Sequence, residues 1–178
     1  EPLSLGMVMP QFVLTDPTQQ VFQLKDLVGD KGVLIVFTCN HCPYAIAVWD
    51  RLIRLSAQYQ QDGVNTVAIN PNINPDYPQD SPDCMLDLIN ERHIPFPYLI
   101  DEGQHVARAY QAQCTPDIYL LNASFELVYH GRIDDSWQDE LKVRSRDLEQ
   151  AMSQLVIGQP ISADQMPSMG CSIKWVDA

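Results

Sequence analysis

The chain has 178 residues, with 23 acidic side chains against 11 basic ones and a formal net charge of −12. That length predicts one domain with a self-sufficient core. So acidic a surface would repel phosphates, which argues against nucleic acid or an anionic membrane as partner, and no apolar run approaches the ~20 residues that span a bilayer.

In chain order, Phe12–Leu14 reads as a first strand, Asp16–Gln19 as a turn and Val21–Leu24 as a hairpin partner. Lys25–Leu27 predicts a helical turn before Gly29–Gly32. Val33–Phe37 is continuously apolar and partly β-branched. That pattern fits a central strand buried on both faces. Ala45, Val48, Trp49, Leu52, Ile53 and Tyr59 then recur at helical spacing. They form one stripe of an amphipathic helix that ends near Gly63.

Val64–Ile69 predicts a second buried strand, and the Pro-, Asn- and Asp-rich stretch 70–82 a loop. Ser81-Pro82-Asp83 opens a helix that runs to about His93, with Pro at its first position. Tyr98–Ile100 reads as a short strand and Val106–Tyr110 as part of a short helix. Ile118–Leu121 and Leu127–His130 flank Asn122–Phe125 as a hairpin. Ser145 is the predicted cap of a last helix, with Leu148, Met152 and Leu155 facing inward and Gly158 past its end. The order βαβαβαββα predicts an α/β fold with a central mixed sheet flanked by helices. It resembles the thioredoxin-like layout, with an N-terminal β extension. Residues 1–158 are the expected domain, and 159–178 an irregular tail packing on it.

Cys39-Asn40-His41-Cys42 sits between the buried strand and the amphipathic helix. A helix start offers unpaired N–H groups and partial positive charge, both of which stabilise a thiolate. Cys39, expected at an exposed strand-to-helix turn, is the predicted attacking thiol, and Cys42 the resolving one. A protonated His41 would lower the Cys39 pKa further and make the dithiol more oxidising. Cys114-Thr115-Pro116-Asp117 directly precedes a strand. A cis bond before Pro116 would expose backbone groups for pairing with an extended substrate.

Three segments carry a specific resemblance: 37–44 around the dithiol, Cys114-Thr115-Pro116-Asp117, and Gly131-Arg132-Ile133-Asp134-Asp135. With the tail Gly170-Cys171-Ser172-Ile173-Lys174-Trp175, they resemble a thioredoxin-like, peroxiredoxin-like family. That family lies in the alkyl hydroperoxide reductase/thiol-specific antioxidant group. The resemblance covers nearly the whole chain. It implies a thioredoxin fold, thiol-disulfide redox activity at Cys39 and Cys42, and a cis bond before Pro116. Two departures stand out. Peroxiredoxins carry a Pro-x-x-x-Thr-x-x-Cys motif. Those Thr and Pro positions hold Cys39 and Ile35 counted from Cys42, or Val36 and Gly32 counted from Cys39. Val33 stands where many thioredoxins bury an Asp.

Thr38, Asn40, Asn70 and Thr115 are expected to line the site, with Arg132 and Asp134 beside the dithiol and paired to each other. The chain has five cysteines, an odd number, so at least one thiol stays outside any internal pairing. Cys114 and Cys171 are candidate further redox thiols, and Cys84 is expected to pack. The predicted function is a thiol-disulfide oxidoreductase. Its substrate would be a disulfide-bearing protein, or a small thiol or peroxide, and its electrons would come from a thiol reductant. No cofactor beyond the redox-active disulfide and no metal are expected. A peroxiredoxin-like thiol peroxidase is the first alternative, and a thioredoxin-fold metal carrier using both thiolates and His41 the second. The chain begins at Glu1 without a basic, apolar leader. The expectation is a cytoplasmic protein, with a processed periplasmic one as the alternative.

Overall fold

A computed structural model describes residues 1–176. The elements are β1 (Val13–Thr15), β2 (Val21–Gln23), α1 (Leu24–Leu27), β3 (Gly32–Phe37), α2 (Pro43–Gln60), β4 (Val64–Asn70) and α3 (Pro82–Arg92). They continue with β5 (Tyr98–Ile100), α4 (His105–Ala109), β6 (Cys114–Thr115), β7 (Asp117–Asn122), β8 (Leu127–Gly131), α5 (Asp147–Ile157) and β9 (Cys171–Ser172). A 3₁₀ turn at Pro78–Asp80 interrupts the loop that was expected over 70–82.

Seven strands form one sheet in the order β2-β1-β5-β4-β3-β7-β8. β3 pairs parallel with β4 and antiparallel with β7, so its ladder groups are used on both edges. Every residue of β3 is buried, as its unbroken apolar run requires. Alternation along the pleat then sends side chains to two cores. Val33, Ile35 and Phe37 join Tyr119, Leu121, Tyr110 and the N-terminal segment on one face. Leu34 and Val36 join Val48 and Leu52 of α2 and Leu148 and Met152 of α5 on the other. Each such side chain contributes roughly 1.5–3 kcal/mol relative to exposure.

Local chemistry sets the helix boundaries near the site. Pro43 occupies the first turn of α2 and Cys42 is its N-cap. The Ser81 hydroxyl accepts from Cys84 N–H and caps α3. The turn from α2 into β4 uses Gly63 at φ +92°, a conformation glycine adopts without cost to a Cβ.

Two sequence expectations are corrected. Ser145 is not the cap of α5: Arg146 holds that position without a side-chain bond. The Ser145 hydroxyl instead donates to Asp147 Oδ1, so the short polar side chain bonds sideways rather than back to the helix. The tail is not wholly irregular. Cys171–Ser172 forms β9, antiparallel to β6, with Thr115 opposite Cys171 and Cys114 opposite Ser172. Two-residue strands are set by tertiary contact and leave no periodic signal. No described helix is long and apolar enough to cross a membrane.

Candidate active site

The dithiol lies where β3 leaves the sheet and α2 begins. Thr38 N–H donates to Ile69 O at 2.8 Å, which extends the β3–β4 ladder up to the thiols. The Trp49 indole N–H donates to Cys39 O at 3.3 Å and ties the first cysteine to the second turn of α2. Both thiols face the loop before β7. Cys39 Sγ lies 3.4 Å from Thr115 Oγ1. Cys42 Sγ lies 3.5 Å from Thr115 O, to which its protonated form donates. The Thr115–Pro116 bond is cis.

Exposure runs opposite to the expectation from sequence: Cys39 is 0% exposed and Cys42 3%. Cys39 is therefore not at an exposed turn, because the Thr115 loop and the tail cover it. Cys39 and Cys42 pack in one buried cluster with Ala45. The neighbouring Cys42, burial and the nearby Asp80 charge push the Cys39 thiol up. The neighbouring Cys39 brings the Cys42 thiol down against its own desolvation, helped by Cys171 and the Ala45 N–H. Ala45 is in the first turn of α2, where unpaired N–H groups and the helix dipole favour an anion.

The sequence reading missed Asp80. Its Oδ1 accepts from Asn40 N–H at 2.8 Å and from His41 N–H at 3.0 Å. It thereby grips the two residues between the cysteines. Burial raises its pKa, and those two N–H bonds lower it less. Asp80 is thus a buried carboxyl whose charge is felt at Cys39. No spacing rule links it to the thiols, and its lever is a backbone bond from a loop about forty residues away.

Asn70 acts through Asp80. Its amide donates to Asp80 O at 3.0 Å and its oxygen accepts from Asn72 N–H at 2.8 Å, so it braces the loop rather than facing a substrate. Asn40 accepts from Tyr98 Oη at 2.8 Å and donates to Gln79 O at 3.1 Å. The Thr38 hydroxyl is buried without a hydrogen-bond partner among the described residues. The His41 side chain is exposed, and its anchored group is the backbone N–H.

Arg132 and Asp134 do not pair with each other. Asp134 takes buried Arg51 of α2 at 2.9 Å, and Arg132 Nε donates to Asp147 Oδ2 at 2.7 Å. The chain bends at Ile133 after β8, and the two side chains go to different helices, Asp134 to α2 and Arg132 to α5. Arg51 also donates to Ser136 O and Trp137 O. This clamp holds Trp137 against Tyr44, with ring centroids 3.9 Å apart, as an aromatic rim over the start of α2.

The remaining cysteines separate cleanly. Cys84 Sγ faces Pro78 O at 3.6 Å, away from the dithiol. Cys114 neighbours Thr115 on a strand, so its side chain takes the other face and its Sγ meets Pro116 O at 3.4 Å. Burial pushes its thiol up to about 12. Cys171, by contrast, packs on Cys39, Cys42 and Ala45.

The AhpC/TSA family pattern matches residues 5–136. The chain belongs to the AhpC/TSA family. Thiol-disulfide oxidoreductase ResA of Halalkalibacterium halodurans is 30% identical over 118 residues, which are 66% of this chain and 62% of that protein. The chain therefore spans under two thirds of that relative's length. An uncharacterized conserved protein from Geobacillus kaustophilus is 42% identical, with a TM-score of 0.93 over 98% of this chain and 94% of that one. The thioredoxin domain of a Bacteroides vulgatus thiol-disulfide oxidoreductase superposes with a TM-score of 0.67 at 17% identity, over 87% of this chain and 99% of that one. At that identity it shows the fold alone, which is thioredoxin-like.

Proposed function

We propose that this AhpC/TSA-family protein is a thiol-disulfide oxidoreductase in which Cys39 and Cys42 alternate between dithiol and disulfide. The observation that carries this reading is the pair of buried thiols at the start of α2, each hydrogen-bonded to Thr115 beside a cis-Pro bond. The names of its ResA relatives support the same activity class.

The attack is assigned to Cys42, the thiol at the N-cap of α2, in place of the Cys39 expected from sequence. Cys42 attacks one sulfur of a substrate disulfide, forms a mixed disulfide and releases a substrate thiolate. Cys39 then attacks Cys42 Sγ, closes the Cys39–Cys42 disulfide and releases the second substrate thiolate. The proton that Cys39 loses goes to Asp80 or to that leaving thiolate. Two electrons have passed to the substrate, and an external thiol reductant restores the dithiol. The Tyr44–Trp137 rim offers an apolar contact for a polypeptide substrate.

Double variants test the roles. With Cys171 replaced by Ser to remove the neighbouring thiol, Cys39→Ser should trap a mixed disulfide with a model protein disulfide at Cys42, and Cys42→Ser should trap none. Turnover of insulin disulfides should vanish in both of these double variants. Trapping at Cys39 in the Cys42→Ser variant would reverse the roles, and full turnover by either variant would end the assignment.

A further inference from the structure

The edge that an extended substrate would pair with at Thr115 is already taken by the chain's own tail. β9 pairs with β6 and sets Cys171 opposite Thr115. Cys171 packs against the cluster of Cys39, Cys42 and Ala45, so three thiols share one site.

The tail is moored on both sides of Cys171. Upstream, Ser168 Oγ donates to Gly131 O at 2.7 Å and to Asp117 Oδ1 at 3.1 Å. Downstream, Ile173 is buried in the core. Lys174 N–H donates to Asn72 Oδ1 at 3.0 Å, and Lys174 O accepts from Gln104 Nε2 at 2.9 Å. Gly170 lies so close to the loop that a Cβ there would sit 2.5 Å from Thr115 O. Only glycine lets the tail approach this way. The family match ends at residue 136, so this thiol comes from outside the matched region.

We propose that Cys171 is a third redox thiol of the site, to which the Cys39–Cys42 disulfide is passed as a Cys42–Cys171 disulfide. The inference rests on the oxidoreductase reading above and extends it to an internal relay. The Cys171 thiolate attacks Cys42 Sγ in the Cys39–Cys42 disulfide. The Cys42–Cys171 bond forms, the Cys39–Cys42 bond breaks, and Cys39 leaves as a thiolate that takes the proton Cys171 lost. The exchange is redox-neutral and needs no outside oxidant. In the reduced protein, burial and the Cys42 thiolate hold the Cys171 thiol up at about 11. Once Cys42 is in a disulfide its charge is gone, and that part of the elevation goes with it. Oxidation of the first pair therefore prepares Cys171 for attack. The product leaves Cys39 reduced and ties the tail strand to the dithiol, closing the edge at Thr115.

The test is a disulfide map of the full chain, equilibrated in glutathione buffers, acid-quenched, alkylated and digested with trypsin. Cys39 and Cys42 fall in one tryptic peptide, 32–51, and Cys171 in another, 147–174, so the two disulfides give different products. Wild type should show both the internal loop and the cross-link between peptides. Cys39→Ser should show the cross-link as its main oxidised form. Gly170→Val, which pushes the tail off Thr115, should lose at least tenfold of the cross-link while keeping the loop. If Cys171 stays alkylatable in wild type and in Cys39→Ser while the Cys39–Cys42 loop forms reversibly, the relay is wrong and the oxidoreductase reading stands. If neither disulfide forms in wild type, both fall. Cooperative unfolding of each variant establishes that it is folded, and the wild-type map decides alone where a variant is not.

Discussion

Replacing Asp80 in two ways separates what its charge does from what its oxygen does. Asp80→Asn keeps an acceptor oxygen for Asn40 N–H and His41 N–H, at 2.8 and 3.0 Å in the native chain, and removes the charge. Asp80→Ala removes both. An orphaned buried N–H costs about 1–3 kcal/mol. Both bonds are only part-buried, and water recovers some of that loss. Asp80→Ala should therefore be less stable than Asp80→Asn by roughly 2–3 kcal/mol, a Tm difference of roughly 4–12 °C for a chain of this size. The charge acts separately. Burial raises the Asp80 pKa in the folded state, so the folded protein binds this proton more tightly than the unfolded chain does. That contribution is complete below the unfolded pKa of about 3.9 and is lost as pH rises through the folded value. Asp80→Asn should therefore be at least as stable as wild type at pH 7, with the gap closing as pH falls toward 4. Guanidinium unfolding of the reduced proteins at pH 7 and at pH 4 reads both effects. Equal midpoints for the Ala and Asn variants would refute the loop-gripping role.

Three further outcomes follow from the same geometry. In a Cys42→Ser background, Asp80→Asn should move the Cys39 thiolate absorbance to lower pH, because the Asp80 charge raises that thiol. An unmoved or rising midpoint would contradict this. In the same background, Thr115→Val removes the hydroxyl 3.4 Å from Cys39 Sγ, a bond that favours the thiolate, and should shift the midpoint upward. Asp134→Ala strands the buried Arg51 guanidinium and should cost about 3–5 kcal/mol by guanidinium unfolding. A cost under ~1 kcal/mol would mean that water solvates Arg51.

The dithiol and the strands around it were legible because their causes are local. The unbroken apolar run of β3 can only be a strand covered on both faces, and Pro43 at the start of an amphipathic stripe places Cys42 at a helix end. Thr115-Pro116 before a strand likewise announced its loop. Asp80 and Arg51 were not assigned their parts, and Cys171 stood only as one of two candidate further redox thiols. Asp80 acts through backbone N–H groups from a loop without periodicity. Arg51 lies beside the apolar stripe of α2, and only tertiary packing brings Asp134 to it. The side chain of Cys171 meets Cys42 because the tail pairs with a two-residue strand, a contact no sequence period encodes. The burial of Cys39 has the same origin, since the covering groups come from the Thr115 loop and the tail.

The chemistry of the site turns on whether Cys39 and Cys42 interconvert as a pair. The most direct measurement is the mass of the tryptic peptide 32–51 across glutathione buffers of graded potential, after acid quench and alkylation. A reversible two-electron transition is expected between a doubly alkylated peptide and one closed by an internal disulfide, before any partition to Cys171. Two cysteines that remain alkylated at every potential, or that accumulate glutathione on separate sulfurs, would contradict it.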